Sequence, residues 1–236
     1  MTMEFPPISG PRRPPGDSTP ACSPAGPSPS PPAGPGPLAA PDLALHLRAG
    51  GAGLFPTDTV PALAASPAAA QSLWRLKQRP IDKPLILMGA DLQQLRQLLA
   101  IPWRPGWLQM AEQSWPGAVT LVLPITGPIT EWLHPGGRSL GLRVPDCAAA
   151  RDLLRLSGPL ATTSVNRSGE PAALDALAAA RGFPELPLLA PIPWPACRGQ
   201  ASRVLAWREA SGECQEEWQE LRPGPQAGFR LGEPQA

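Results

Sequence analysis

The 236-residue chain contains no tyrosine, two histidines and four cysteines, and each shortage removes a class of chemistry. His46 falls on a predicted first helix and His134 in a Pro-Gly-Gly loop, so no Ser/His/Asp arrangement can be assembled and both are read as structural or exposed. Cys22, Cys147, Cys197 and Cys214 form no CxxC pair. Their spacing fits neither a zinc site nor a disulfide framework and predicts reduced thiols. No metal site built from protein ligands is expected. Net charge is only +1, whereas a domain that lives on nucleic acid usually carries a basic excess, because phosphate neutralisation supplies most of its affinity. An apolar run of about 18 residues is missing, so no membrane span is expected. The N-terminus lacks the apolar stretch of a secretory signal, which makes cytoplasmic the expected location. Neither GxGxxG nor GxxxxGKS occurs, so the dinucleotide loop and the Walker loop are both unavailable.

What the chain has in excess is proline and glycine, 36 and 23 residues, together about a quarter of the whole. Many fall in residues 1–40, where proline, glycine, serine and alanine dominate. Such a segment buries too little apolar surface to offset its ordering entropy and is expected to be disordered, with polyproline II character suited to a PxxP ligand. From Pro41 the pattern changes. Helices are predicted at 42–48, 67–77, 91–99, 146–156 (capped by Asp146) and 172–181 (ended by Gly182). Apolar strands are predicted at 53–56, 85–88, 118–123, 139–144, 160–163, 202–207 and 214–221. Alternating helices and strands argue an α/β layered domain with a mixed sheet over residues 41–224, followed by a polar tail at 225–236.

Five polar constellations interrupt this pattern. The sequence Lys77-Gln-Arg79-Pro-Ile-Asp-Lys83-Pro84 places three cations on a helix-to-strand loop stiffened by two prolines. Such a loop can hold a polyphosphate at little ordering cost, or simply be a solvated basic loop. Thr57-Asp58-Thr59 follows the first central strand and can contact a ligand or close a local turn. Ser164 and Asn166 are two residues apart, so an extended backbone projects them to one side. Arg143 lies within an apolar strand and must face solvent, meet a carboxylate of the protein, or take an anionic ligand. Ser202 and Leu221-Arg222-Pro223-Gly224 stand beside the last strands.

Taken together these segments resemble the YrdC-like family, the threonylcarbamoyl-AMP synthases. The resemblance rests on Pro56-Thr-Asp-Thr-Val-Pro-Ala-Leu63, Lys77 to Leu85, Trp115-Pro-Gly-Ala-Val-Thr-Leu-Val-Leu123, Leu142-Arg-Val-Pro145, Ser164 to Pro171, a looser Gly199 to Val204, and Leu221 to Gly224. The motifs stand in the family's order over about 170 residues. Two departures stand out: Pro61 where relatives carry an aromatic residue, and Arg203 after Ser202 in place of a small hydroxyl residue. The resemblance implies a short single-domain form with a YrdC-like twisted open mixed sheet, flanking helices and a concave basic groove. It further implies that L-threonine, bicarbonate and ATP with Mg2+ are joined into threonylcarbamoyl-AMP, with release of pyrophosphate, for tRNA threonylcarbamoyladenosine formation by a downstream transferase complex.

By the same resemblance, Lys77, Arg79, Ser164 and Asn166 form the catalytic set. Arg79, Lys83, Ser139, Asn166 and Arg222 hold ATP. Thr59, Met88, Arg143, Ser164 and Ser202 hold threonine. Two alternatives use the same groove: an inactive nucleotide-binding paralogue, and a module binding tRNA or double-stranded RNA.

Overall fold

The structure is a computed structural model that describes residues 34–209 and 217–225, all within the unit Ala33–Ala236. Ten strands form one open mixed sheet. They are β1 (Pro37–Leu38), β2 (Ala52–Phe55), β3 (Ala62–Ala65), β4 (Ile86–Met88), β5 (Val119–Leu123), β6 (Leu140–Arg143), β7 (Leu160–Ser164), β8 (Leu188–Leu189), β9 (Arg203–Arg208) and β10 (Glu217–Arg222). Their spatial order is β1-β8-β2-β3-β7-β4-β6-β5-β9-β10. β2/β8, β4/β6 and β5/β9 run parallel, while β2/β3, β3/β7, β4/β7, β5/β6 and β9/β10 run antiparallel.

Seven helices flank the sheet among the described residues: α1 (Ala40–Arg48), α2 (Gln71–Lys77), α3 (Leu92–Leu99), α4 (Pro105–Ser114), α5 (Pro128–Leu133), α6 (Ala148–Ser157) and α7 (Ala176–Gly182). Alternation along the strands divides the core into two layers. Leu63, Leu87, Leu121, Leu142, Ala161 and Leu205 point to one face, where they pack with Leu73 and Trp74 of α2, Leu95 of α3, Trp107 and Met110 of α4 and Ala179 of α7. The other face carries Phe55, Ala62, Ala64, Met88 and Leu160, packed under Leu43 and Leu47 of α1 and Leu153 and Leu154 of α6. Among the described residues only these two helices cover that second face, over the β2/β3/β7/β4 end, and no described helix covers it toward β5, β9 and β10.

Several sequence expectations change in detail. The helix expected at 67–77 is a 3-10 turn, Pro67–Ala69, followed by α2. The helix expected from 172 begins at Ala176, because the Asp175 carboxylate accepts from Ala178 N–H at 2.7 Å, while Ala173 N–H is tied to Val165 O at 2.8 Å beside β7. Gly182 is its last helical residue and does not end it from outside. Asp146 does not cap α6: Cys147 occupies the cap position, and Asp146 N–H instead donates to Asp58 Oδ1 at 3.2 Å. Asp91 does cap α3, accepting from Gln94 N–H at 2.7 Å. Pro37 and Leu38, assigned to the tail, form an edge strand parallel to β8. Residues 1–33 of the tail expected at 1–40, residues 214–216 of the last expected strand and residues 226–236 of the C-terminal tail expected at 225–236 lie outside the described residues.

Candidate active site

The uncovered part of the second face is a groove of about 520 Å3. Its floor follows from strand period 2: Ser139, Gly141 and Arg143 from β6 and its entry, Thr120 and Val122 from β5, Ile86 and Met88 from β4, Thr162 and Ser164 from β7, and Ser202 and Val204 at β9 all project into it. Register brings them side by side, with Ile86 opposite Gly141 and Met88 opposite Arg143. Gly141 keeps the floor low, since a Cβ there would stand 2.9 Å from Ile86 Cγ2. The rim carries Arg79, Lys83 and Arg222. Nine of the eleven residues anticipated from the sequence line this one groove: Thr59, Arg79, Lys83, Met88, Ser139, Arg143, Ser164, Ser202 and Arg222. The other two, Lys77 and Asn166, are joined to it through Ser164.

The basic loop is shaped by the end of α2. Gln78 takes a left-handed backbone (φ 51°), and the N–H of Arg79 donates to Trp74 O at 2.9 Å, which turns the chain sharply toward the groove. Arg79 is then held along its own loop by Lys83 O (3.3 Å from Nε) and Pro84 O (3.1 Å from Nη2). Burial lowers the pKa values of Arg79 and Arg222, and Arg222 lowers that of Arg79 further, against a partial opposing effect of Asp82. Guanidinium groups stay charged through such shifts. Cations that repel one another at one rim can take up a polyanion between them.

Lys77 is 1 % exposed. Its ammonium donates to Ser164 O (2.5 Å), Asn166 Oδ1 (2.7 Å) and Ser164 Oγ (3.4 Å), which uses all three hydrogens. Burial, then the Arg79 charge, lowers its pKa to about 8. The three acceptors favour the ammonium, so it is charged at neutral pH. Asn166 also accepts from Ser164 Oγ at 2.7 Å, and its amide donates to Arg167 O and Glu170 O, both at 2.8 Å. Every hydrogen-bonding position of Asn166 is therefore occupied by protein, and its geometry is that of a support for Lys77 and Ser164. Ser168 N–H to Lys77 O (2.9 Å), and Arg167 bonded to Leu76 O with its guanidinium 4.8 Å over the Phe183 ring, fasten this loop to the end of α2.

Of the three fates open to Arg143, the structure selects the protein carboxylate while keeping the side chain on the groove. It is 3 % exposed, and donates from Nη2 to Asp58 Oδ1 (2.5 Å), from Nη1 to Thr59 Oγ1 (2.7 Å) and from Nε to Gly117 O (3.1 Å). Burial lowers its pKa, and Asp58 opposes that. Gly117 comes this close because a Cβ would lie 2.5 Å from Ser114 O. Ser202 hydrogen-bonds Thr120 (2.8 Å between hydroxyls), and its carbonyl accepts from Arg222 Nε (3.1 Å) and Nη2 (2.9 Å), so β9 and β10 close the far wall together. Both histidines meet backbone carbonyls, His46 Nε2 at 3.1 Å from Ala52 O and His134 Nδ1 at 2.9 Å from Ser139 O, and His134 also lines the groove. Thr57, Asp58, Gly117, Thr120 and Gly141 belong to the site without having been assigned roles. The strand alternations Ser139/Gly141/Arg143 and Thr120/Val122 were the signal that could have found two of them, Gly141 and Thr120.

A family model covering Sua5, YciO and YrdC, described as "Telomere recombination", matches residues 46–222. The chain belongs to the Sua5/YciO/YrdC family. It is 37% identical over 147 residues to a curated relative from Stutzerimonas stutzeri named threonylcarbamoyl-AMP synthase, covering 61% of this chain and 78% of that one. The solved structure of P. abyssi Sua5 complexed with L-threonine superposes with a TM-score of 0.69 at 30% identity over 78% of this chain. The match covers 54% of that Sua5 chain, about half its length. E. coli YciO, at 20% identity and a TM-score of 0.64, shares the fold over 79% of this chain and 89% of its own. The family carries the open mixed sheet expected from the sequence, and the motif-rich stretch coincides with the matched region.

Proposed function

We propose that this chain is an L-threonylcarbamoyladenylate synthase, in line with curated relatives named threonylcarbamoyl-AMP synthase. The observation that carries the reading is the single groove in which a rim of Arg79, Lys83 and Arg222 faces a floor of Thr59, Arg143, Ser164 and Ser202. A polyanion and a small zwitterion can be held there side by side. L-Threonine lies toward Thr59, Met88, Arg143 and Ser202. ATP enters as its magnesium complex, the ion being part of the substrate, with its phosphates toward Arg79, Lys83, Arg222 and Ser139.

The reaction needs no protein nucleophile. Threonine's amine takes up carbon from bicarbonate with loss of water. The resulting N-carboxylate oxygen attacks the α-phosphorus of ATP, a P–O bond forms, the bond to the β-phosphate bridging oxygen breaks, and pyrophosphate leaves. The protein's work is to align these groups and to neutralise the charge that develops on the departing phosphates. Arg79, Lys83 and Arg222 supply that charge, and Lys77 adds a fixed positive centre behind Ser164. The product serves tRNA threonylcarbamoyladenosine formation through a downstream transferase in the cytoplasm. No helix among the described residues is long and apolar enough to cross a membrane. The inactive-paralogue and RNA-binding alternatives find no support among the named relatives.

Pyrophosphate release from ATP, with and without threonine and bicarbonate, tests the proposal. Release requiring both co-substrates is expected. Release indifferent to threonine, or none from protein that binds ATP, would overturn it.

A further inference from the structure

We infer that Thr57, which is outside the set of residues given a substrate role above, is a positioning residue that fixes the polarity of the threonine subsite. The inference rests on the proposed reaction and follows from counting hydroxyl protons. Thr57 and Thr59 are 3 % and 1 % exposed, and both line the groove. The Thr57 hydroxyl donates to Val60 O at 2.7 Å. That spends its only proton, so the 3.1 Å contact between the two threonine hydroxyls runs from Thr59 Oγ1 to Thr57 Oγ1. Thr57 Oγ1 also accepts the backbone N–H of Thr59 at 3.2 Å and is then saturated. Thr59 has now given its proton away, and Arg143 Nη1 takes one of its lone pairs at 2.7 Å. A single lone pair is left. Thr59 therefore meets a ligand only as an acceptor.

Arg143 shows the complementary count. Of its five N–H groups, three are bonded to Asp58, Thr59 and Gly117, which leaves one hydrogen on each terminal nitrogen. The subsite thus offers two donors from Arg143 beside one acceptor from Thr59. That pattern takes a carboxylate on Arg143 and, next to it, a hydrogen-bond donor of the same small molecule: the amino group or the β-hydroxyl of an amino acid. An anion at Thr59, or a second carboxylate, meets a lone pair and is rejected. Polarity at Thr59 is dictated by Thr57, because a Thr57 side chain without a hydroxyl releases the Thr59 proton to point into the groove.

The test compares Thr57→Val, which keeps the shape, with Thr57→Ser, which keeps the hydroxyl, in threonine-dependent pyrophosphate release at saturating ATP and bicarbonate. Expected is a rise in threonine KM of about tenfold in Thr57→Val, with kcat and the KM for ATP within about twofold of the parent, and recovery in Thr57→Ser. Repeating the titration with L-2-aminobutyrate assigns the donor. If the parent's preference for threonine collapses in Thr57→Val, the hydroxyl is the group on Thr59; if both substrates weaken equally, it is the amine. An unchanged threonine KM, or equal loss for threonine and ATP, overturns the inference. Should the parent bind threonine in calorimetry without turnover, the proposed reaction falls, and the same variants are compared by Kd. Should it bind no threonine, both readings fall.

Discussion

One face of the sheet has two halves built with the same strand alternation, and they end as opposites. Toward β2 and β3 the positions are Phe55, Ala62, Ala64 and Leu160, closed over by α1 and α6. Toward β5 and β9 they are Thr120, Gly141, Arg143, Thr162, Ser164 and Ser202, and no helix among the described residues lies above them. β7 crosses the border within five residues, with Leu160 under the helices and Ser164 in the groove. Side-chain chemistry decides which half is roofed. Leucine and alanine call for an apolar cover, whereas hydroxyls and a guanidinium lose hydrogen-bonding partners under one. A half-covered sheet face is how this fold keeps a rigid floor beneath an open site.

The sharpest test of the contrast is Arg143→Ala, because Arg143 is the one charged residue lining the groove, among those described, that is buried as deeply as the core. Removing it strands Asp58, whose Oδ2 already has no hydrogen-bond partner, in a buried place. A loss of about 3–5 kcal/mol in urea unfolding is expected, together with a raised threonine requirement and ATP affinity nearly unchanged. A threonine KM equal to the parent's would separate Arg143 from the substrate. Leu153→Ala, in the roofed half, should cost about 2–5 kcal/mol of stability and leave the threonine and ATP KM values of the surviving folded protein where they were. Equal damage to KM would mean that the two halves are coupled.

Arg79→Ala inverts that pattern. A fall in kcat/KM for ATP of roughly a hundredfold is expected, with a melting temperature shifted by no more than about 2 °C. Unchanged ATP affinity would remove the phosphate role from the rim. Lys77 gives the smallest and most graded effect. Its folded pKa is about 8, below the ordinary 10.5. Between those values the unfolded chain binds more protons at this residue than the folded one, so its contribution to stability rises with pH across the window. Activity should do the reverse and fall through an apparent pKa near 8, as the ammonium behind Ser164 loses its charge. A flat profile from pH 7 to 9.5 in the parent, or the same decline in Lys77→Met, would dissociate Lys77 from turnover.

Much of this was legible in the sequence, for identifiable reasons. The strands with branched or leucine-rich runs, such as Val119–Leu123, announced themselves, and so did α3 with its leucine stripe and aspartate cap. β3 was missed because Ala-Leu-Ala-Ala has little intrinsic strand preference, and its place between β2 and β7 imposes the conformation. α4 was missed because Pro105 and Gly106 read as loop. Proline suits a first helical turn, and the burial of Trp107, Met110 and Ala111 decides the rest. At the site, residue identities were readable as clusters, but their partners were not. That Arg143 meets Asp58, 85 positions earlier, and that Asn166 accepts from Lys77, 89 positions earlier, are facts of tertiary proximity.

The closing wall of the groove has a consequence for synthesis. Along the described chain the last buried apolar residue is Ala206, yet Arg222, which grips the carbonyl of Ser202, comes 16 positions later. A chain growing at roughly 5–20 residues per second therefore has the buried residues of both apolar layers synthesised about a second before its basic rim is complete. The buried apolar set of the described chain is therefore synthesised before the arginine that completes the basic rim.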